Sequence, residues 1–127
     1  MSIFKNIRAM HAKYGFEPRE TPGLLSKKQM DFRVDFIEEE LDELIRANLR
    51  NDLPETIDAL IDIMVVCAGT LDLMGCDGQA HWNEVHWANM KKEVATADNP
   101  SKRGAKELDL VKPEGWEPPD HVRIIND

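Results

Sequence analysis

The 127 residues are enough for one domain and too few for two. Twenty-four acids against 16 Lys and Arg give a formal net charge of −8, which excludes nonspecific binding to DNA or RNA because that needs a basic surface. Cys67 and Cys76 are too few for a disulfide framework or a zinc site, and no apolar stretch reads as a signal peptide or a membrane span, so a cytoplasmic protein is expected.

The first 16 residues read as a helix, with Ile3, Phe4, Ile7 and Met10 as its apolar stripe and Gly15 as its stop. His11 falls near that stripe, as a core residue or a helix-end cap. Pro18 to Leu25 is a loop, broken by Pro18 and by Pro22-Gly23. Ser26 is placed to cap a helix that runs to about Arg50.

With about 100° per residue on that helix, Val34, Phe36, Ile37, Leu41, Leu44 and Ile45 fall in one apolar arc. Asp35, Glu38, Asp42 and Arg46 point the other way and form the solvated face. Glu40 does not join them: it falls inside the apolar arc, near Ala47, with Glu39 and Glu43 at the arc's edge and Arg33 beside it. A carboxylate in an apolar stripe is costly unless it is paired or metal-bound. Either Arg33 pairs with Glu40, or Glu40 belongs to a metal site.

A second acidic helix follows after a short link. Asn51 or Asp52 suits its N-cap, Pro54 its first turn and Gly75 its stop. Ala59 to Ala68 is apolar nearly all round, so the helix is expected to be buried on most sides, with Cys67 in the core. Asp62 interrupts that run. Glu55, Asp58 and Asp62 share one narrow side. The short link favours antiparallel packing, which sets Glu40 and Glu43 opposite Glu55 and Asp58. Carboxylates that close repel in low dielectric, so a cation is expected between them. A hard divalent ion with oxygen ligands fits, Mg²⁺ foremost and Mn²⁺ as its substitute.

Asp77 can cap a further helix, from Gly78 to about Val94. Trp82, Val85, His86, Asn89 and Glu93 share one face; Trp87, Met90 and Val94 make an apolar strip, and at least one of the two tryptophans is expected to anchor the core. Asn89 can hydrogen-bond a base or ribose, Lys92 can meet a phosphate and a tryptophan can stack on a base. From Asp98 the chain turns rich in Pro, Gly and charge, and Lys102, Arg103, Lys106 and Lys112 cluster there.

The pattern EExxE at Glu39, Glu40 and Glu43, then ExxD at Glu55 and Asp58, resembles the all-α NTP pyrophosphatases: MazG-like proteins, dimeric dUTPases and phosphoribosyl-ATP pyrophosphohydrolases. The run EVHxxNMxK from Glu84 to Lys92 and the ending KPxGWxPPD from Lys112 to Asp120 resemble the small phosphoribosyl-ATP pyrophosphohydrolase-like members. The resemblance covers about Met10 to Asp120. It implies an all-α, MazG-like helical bundle forming one domain, its core about 1–97 and an irregular Pro/Gly-rich tail over 98–127 that folds over the active site. It also implies a Mg²⁺-dependent enzyme that cleaves a nucleoside triphosphate between the α and β phosphates. The expected metal ligands are Glu40, Glu43, Glu55 and Asp58, with Asp62 as a further candidate, and Glu39 orients or deprotonates the water. Arg33, Trp82, His86, Asn89, Lys92, Lys102, Arg103 and Lys112 are the expected substrate contacts. A small helical chain cannot bury a helix that is apolar all round, so a dimer or tetramer is expected. The alternative is a non-catalytic helical interaction protein of the same fold. A di-iron bundle needs Glu-x-x-His on two helices, and the chain has none. HD-type chemistry lacks its His-Asp pair.

Overall fold

The computed structural model describes residues 2–127. Its elements are α1 (Ile3–Tyr14), α2 (Lys27–Leu49), α3 (Leu53–Leu73), α4 (Gly78–Met90), β1 (Glu93–Val94), β2 (Leu110–Val111) and α5 (His121–Ile125). The class is all-α, with one two-stranded ribbon among the described residues. The chain divides into two compact units, residues 1–78 and residues 79–127.

In the first unit the helix ends follow local chemistry. Ser2, Ser26 and Asp52 accept backbone N–H groups of Lys5, Gln29 and Glu55 at the starts of α1, α2 and α3. Gly15 and Gly75 take left-handed φ values of 75° and 73° after α1 and α3. The loop after α1 is tied to the end of α3, where the N–H groups of Arg19 and Gly23 donate to the carbonyls of Leu73 and Met74. α2 and α3 pack antiparallel. Arg33, early in α2, donates to Thr70 Oγ1 (2.9 Å) and to the carbonyl of Val66 (3.0 Å), late in α3. Residues at the end of α2 meet the start of α3. α1 crosses the same end of α3, where buried His11 donates through Nδ1 to Asp72 (2.7 Å) and Arg8 pairs with that carboxylate (3.1 Å). Beside it, Gly69 leaves room for the Arg33 guanidinium. A Cβ there would lie 2.7 Å from Arg33 Nη2 and 3.4 Å from the His11 ring.

Only part of each apolar arc is covered. On α2 the buried residues are Glu40 and Ala47, while Val34, Leu41 and Ile45 are exposed. On α3, Ala59, Val66, Ala68, Gly69 and Thr70 are buried, but Ile57, Leu60, Ile61 and Met64 are exposed. Cys67 shares that open side and is exposed rather than in the core, because α1 and α2 cover only the opposite side. No single helix among the described residues is long and apolar enough to cross a membrane.

The second unit holds the tail against α4. The Trp116 indole N–H donates to the carbonyl of Ala88 (2.7 Å). Glu84 accepts from the Asp120 N–H (3.1 Å) and from Arg123 (2.8 Å). These ties group α4 with residues 98–127 in one unit. The helix stops at Met90, short of the expected Val94, because Glu93 and Val94 pair antiparallel with Val111 and Leu110. A strand partner that far along the chain is invisible to helical periodicity. Neither Trp82 nor Trp87 anchors a core in the chain: they are 55% and 62% exposed, and Trp116 takes the half-buried position against α4.

Candidate active site

The acids of α2 and α3 meet where the wheel sets them. Glu40 is buried, 8% exposed, on the face of α2 that packs against α3. Its Oε2 has no hydrogen-bond partner among the described residues. Burial pushes its carboxyl above the ordinary value, and the charges of Glu43, Asp62 and Glu39 push the same way. Across the seam, burial likewise raises Asp62, helped by the charges of Asp58 and Glu43 and a hydrogen bond with Asp58. Five acids from two helices thus share one electrostatic neighbourhood, with Glu40 deepest. Glu39, Glu43 and Asp58 are exposed at its rim.

Beside the rim lies a cavity of about 180 Å³, lined by Glu43, Arg46, Ala47, Arg50, Glu55, Asp58 and Ala59. It brings Glu55 to the group and adds two arginines. Arg46 also pairs with Asp42, and Arg50 lies 3.8 Å from Asp52. Arg46 falls on the solvated side of the wheel and Arg50 follows the last turn of α2, so neither is singled out by helical periodicity.

Arg33 is placed differently. It is held by Thr70 and the Val66 carbonyl, with its guanidinium over the Phe36 ring at 5.8 Å, and it forms no ion pair with Glu40 among the described residues. The available cation is therefore committed to α3, and Glu40 is left with a hydrogen bond to Glu43 and no cation at Oε2. Hard oxygen donors, a buried carboxylate oxygen with no partner, and acids lifted by one another make a donor set that fits a divalent ion. Among the described residues no three acids yet converge with ligand spacing.

The other expected substrate contacts lie in the second unit. Lys92, Lys102, Arg103 and Lys112 line a cavity of about 490 Å³ together with Asn99, Pro100, Leu110 and Val111. Lys92 and Lys112 stand 5.3 Å and 4.9 Å from the centre of the Trp116 ring. Arg103 is bidentate on Asp109 (2.9 and 2.7 Å), so its charge is met within the loop. Trp82, His86 and Asn89 are exposed on α4, outside this cavity.

With the paired acids of α2 and α3 in place, residues 7–89 match the family model described as phosphoribosyl-ATP pyrophosphohydrolase. The chain belongs to that family. The matched segment takes in every acid of the cluster and nearly all of α4, and it leaves the tail cavity outside. No curated protein matches the chain. Membership in the phosphoribosyl-ATP pyrophosphohydrolase family implies hydrolysis of a pyrophosphate bond in a nucleotide.

Proposed function

We propose that this protein is a Mg²⁺-dependent nucleoside triphosphate pyrophosphohydrolase, with Mn²⁺ as a substitute. It cleaves between the α and β phosphates to give the monophosphate and pyrophosphate. The observation that carries this reading is the unpartnered Oε2 of buried Glu40, set among Glu39, Glu43, Asp58 and Asp62. Glu40, Glu43, Glu55 and Asp58 would hold the ion. When bound, it neutralises charge on phosphate oxygens and makes a coordinated water more acidic. Asp62 steadies Asp58 through their hydrogen bond. Glu39, exposed at the rim, orients the attacking water and takes its proton.

The exposed apolar residues of α2 and α3 support self-association as a dimer or tetramer, and the acidic balance supports a small-molecule nucleotide as substrate, in the cytoplasm, rather than DNA or RNA. The test is a panel of nucleotides, the common (deoxy)nucleoside triphosphates and phosphoribosyl-ATP, assayed for pyrophosphate release with Mg²⁺ and with EDTA. Release from a triphosphate, abolished by EDTA, is expected. Turnover of phosphoribosyl-ATP alone would overturn the triphosphate assignment. No release from any of them would overturn the enzyme.

A further inference from the structure

A second cavity on α2, of about 400 Å³, lies beside the acids and shares only Glu39 with the reading above. It is lined by Phe32, Asp35, Phe36 and Glu39. The rings of Phe32 and Phe36 are 6.0 Å apart and inclined at 42°. Phe36 is steadied by the Arg33 guanidinium, itself anchored on α3, while Phe32 is 57% exposed. One aromatic ring is therefore fixed and the other open to solvent, and two carboxylates rim them.

Position along α2 gives the cleft its meaning. At 1.5 Å per residue, Phe36 lies about 6 Å along the axis from Glu40, and Arg50 about 10 Å beyond Glu43 on the other side. Aromatic rings, carboxylates and arginines follow one another along a single helix, in the order of the base, α-phosphate and terminal phosphates of one nucleotide. We propose that the Phe32–Phe36 cleft is the base subsite, that the phosphates run toward Arg46 and Arg50, and that Asp35 selects bases carrying an amino group. A carboxylate accepts hydrogen bonds and donates none when ionised. Guanine offers it adjacent N–H donors, and adenine and cytosine offer an amino group. Thymine and uracil flank their one N–H with carbonyl oxygens, which Asp35 repels. The inference rests on the pyrophosphohydrolase reading for the placement of the phosphates.

Calorimetric titration of the wild-type protein with dGMP and with TMP, both in Mg²⁺, tests it without turnover. dGMP is expected to bind more tightly than TMP. Phe32→Ala should weaken dGMP about tenfold, as loss of one stacking partner does, and Asp35→Asn should narrow the gap between dGMP and TMP. Equal binding of the two by wild type, binding of neither, or wild-type affinity for dGMP in Phe32→Ala would overturn the subsite. So would loss of binding in Phe32→Ala together with a smaller mass by light scattering, which would make Phe32 a contact between copies. Pyrophosphate release from dGTP, measured in parallel, keeps the two readings apart. Base-selective binding without release discards the hydrolase and leaves the cleft standing; release with Phe32-insensitive binding does the reverse.

Discussion

Two carboxylates, Glu40 in the first unit and Asp109 in the second, have opposite fates. Glu40 is buried, lacks a partner at Oε2 and is pushed up by burial and by its acidic neighbours. Asp109 accepts both arms of Arg103, a hydrogen bond from Ser101 and the N–H of Leu110, and is held well below the usual carboxylate range. Arginine supply does not explain the contrast. Arg33 lies on α2 near Glu40 but is tied to Thr70, the Val66 carbonyl and the Phe36 ring. The second unit uses this pair to hold an irregular chain in shape, and the first leaves Glu40 without a cation at the cost of stability. Unpaired buried charge of this kind marks functional sites, because folding alone would remove it.

The largest expected effect follows from removing the unpaired group. Glu40→Gln should lower turnover roughly a thousandfold, the loss of several kcal/mol of transition-state stabilisation at a metal-assisted centre. Its Tm in EDTA should stay level or rise, since a repelled buried charge is gone. Glu38→Gln, on the exposed face of the same helix, is the control and should change little. If both variants lost activity alike, the distinction between buried and solvated acids would be wrong.

Next in size is the packing that commits Arg33 to α3. Gly69→Ala puts a Cβ 2.7 Å from Arg33 Nη2, so the guanidinium must leave its acceptors. A loss of about 1–3 kcal/mol is expected, as for other overpacked sites. Urea unfolding of wild type and variant in EDTA measures it, and an unchanged midpoint would show that Arg33 is free to relocate.

The two carboxylates should also titrate stability in opposite senses. Glu40 and Asp62 have folded-state pKa values above their ordinary 4.5 and 3.8, so the native state binds more protons in that interval. Their contribution is full below those ordinary values and is lost as pH rises through the raised ones. Asp109 is depressed, so its contribution is present above 3.8 and is lost as pH falls toward its lowered value. In EDTA, Glu40→Gln should flatten the fall in stability from acid toward neutral pH, and Asp109→Asn should flatten the loss on the acid side. Identical pH profiles for the two variants would remove the contrast.

The smallest effect is expected from Arg103→Ala, which frees an exposed pair. It should speed amide exchange around residues 101–110 and leave global unfolding nearly unchanged. A large drop in Tm would mean that the tail loop supports more than its own shape.

Much of this protein is decided locally and was legible without a structure. Ser26, Asp52, Gly15 and Gly75 set helix ends through bonds to neighbours a few residues away. The 3.6-residue period alone puts Glu40 within an apolar stripe and Glu55, Asp58 and Asp62 on one side of α3, so the meeting of acids could be read from spacing. Long-range partners could not. The pairing of Glu93 with Val111 cut α4 short, and Arg33 found Thr70 instead of Glu40. Arg46 and Arg50 came to line the cavity, and Phe32 with Asp35 became the wall of a cleft. Local periodicity assigns a residue to a face of its own helix, but which neighbour that face meets, and which cation reaches which acid, depends on contacts between segments far apart in the chain.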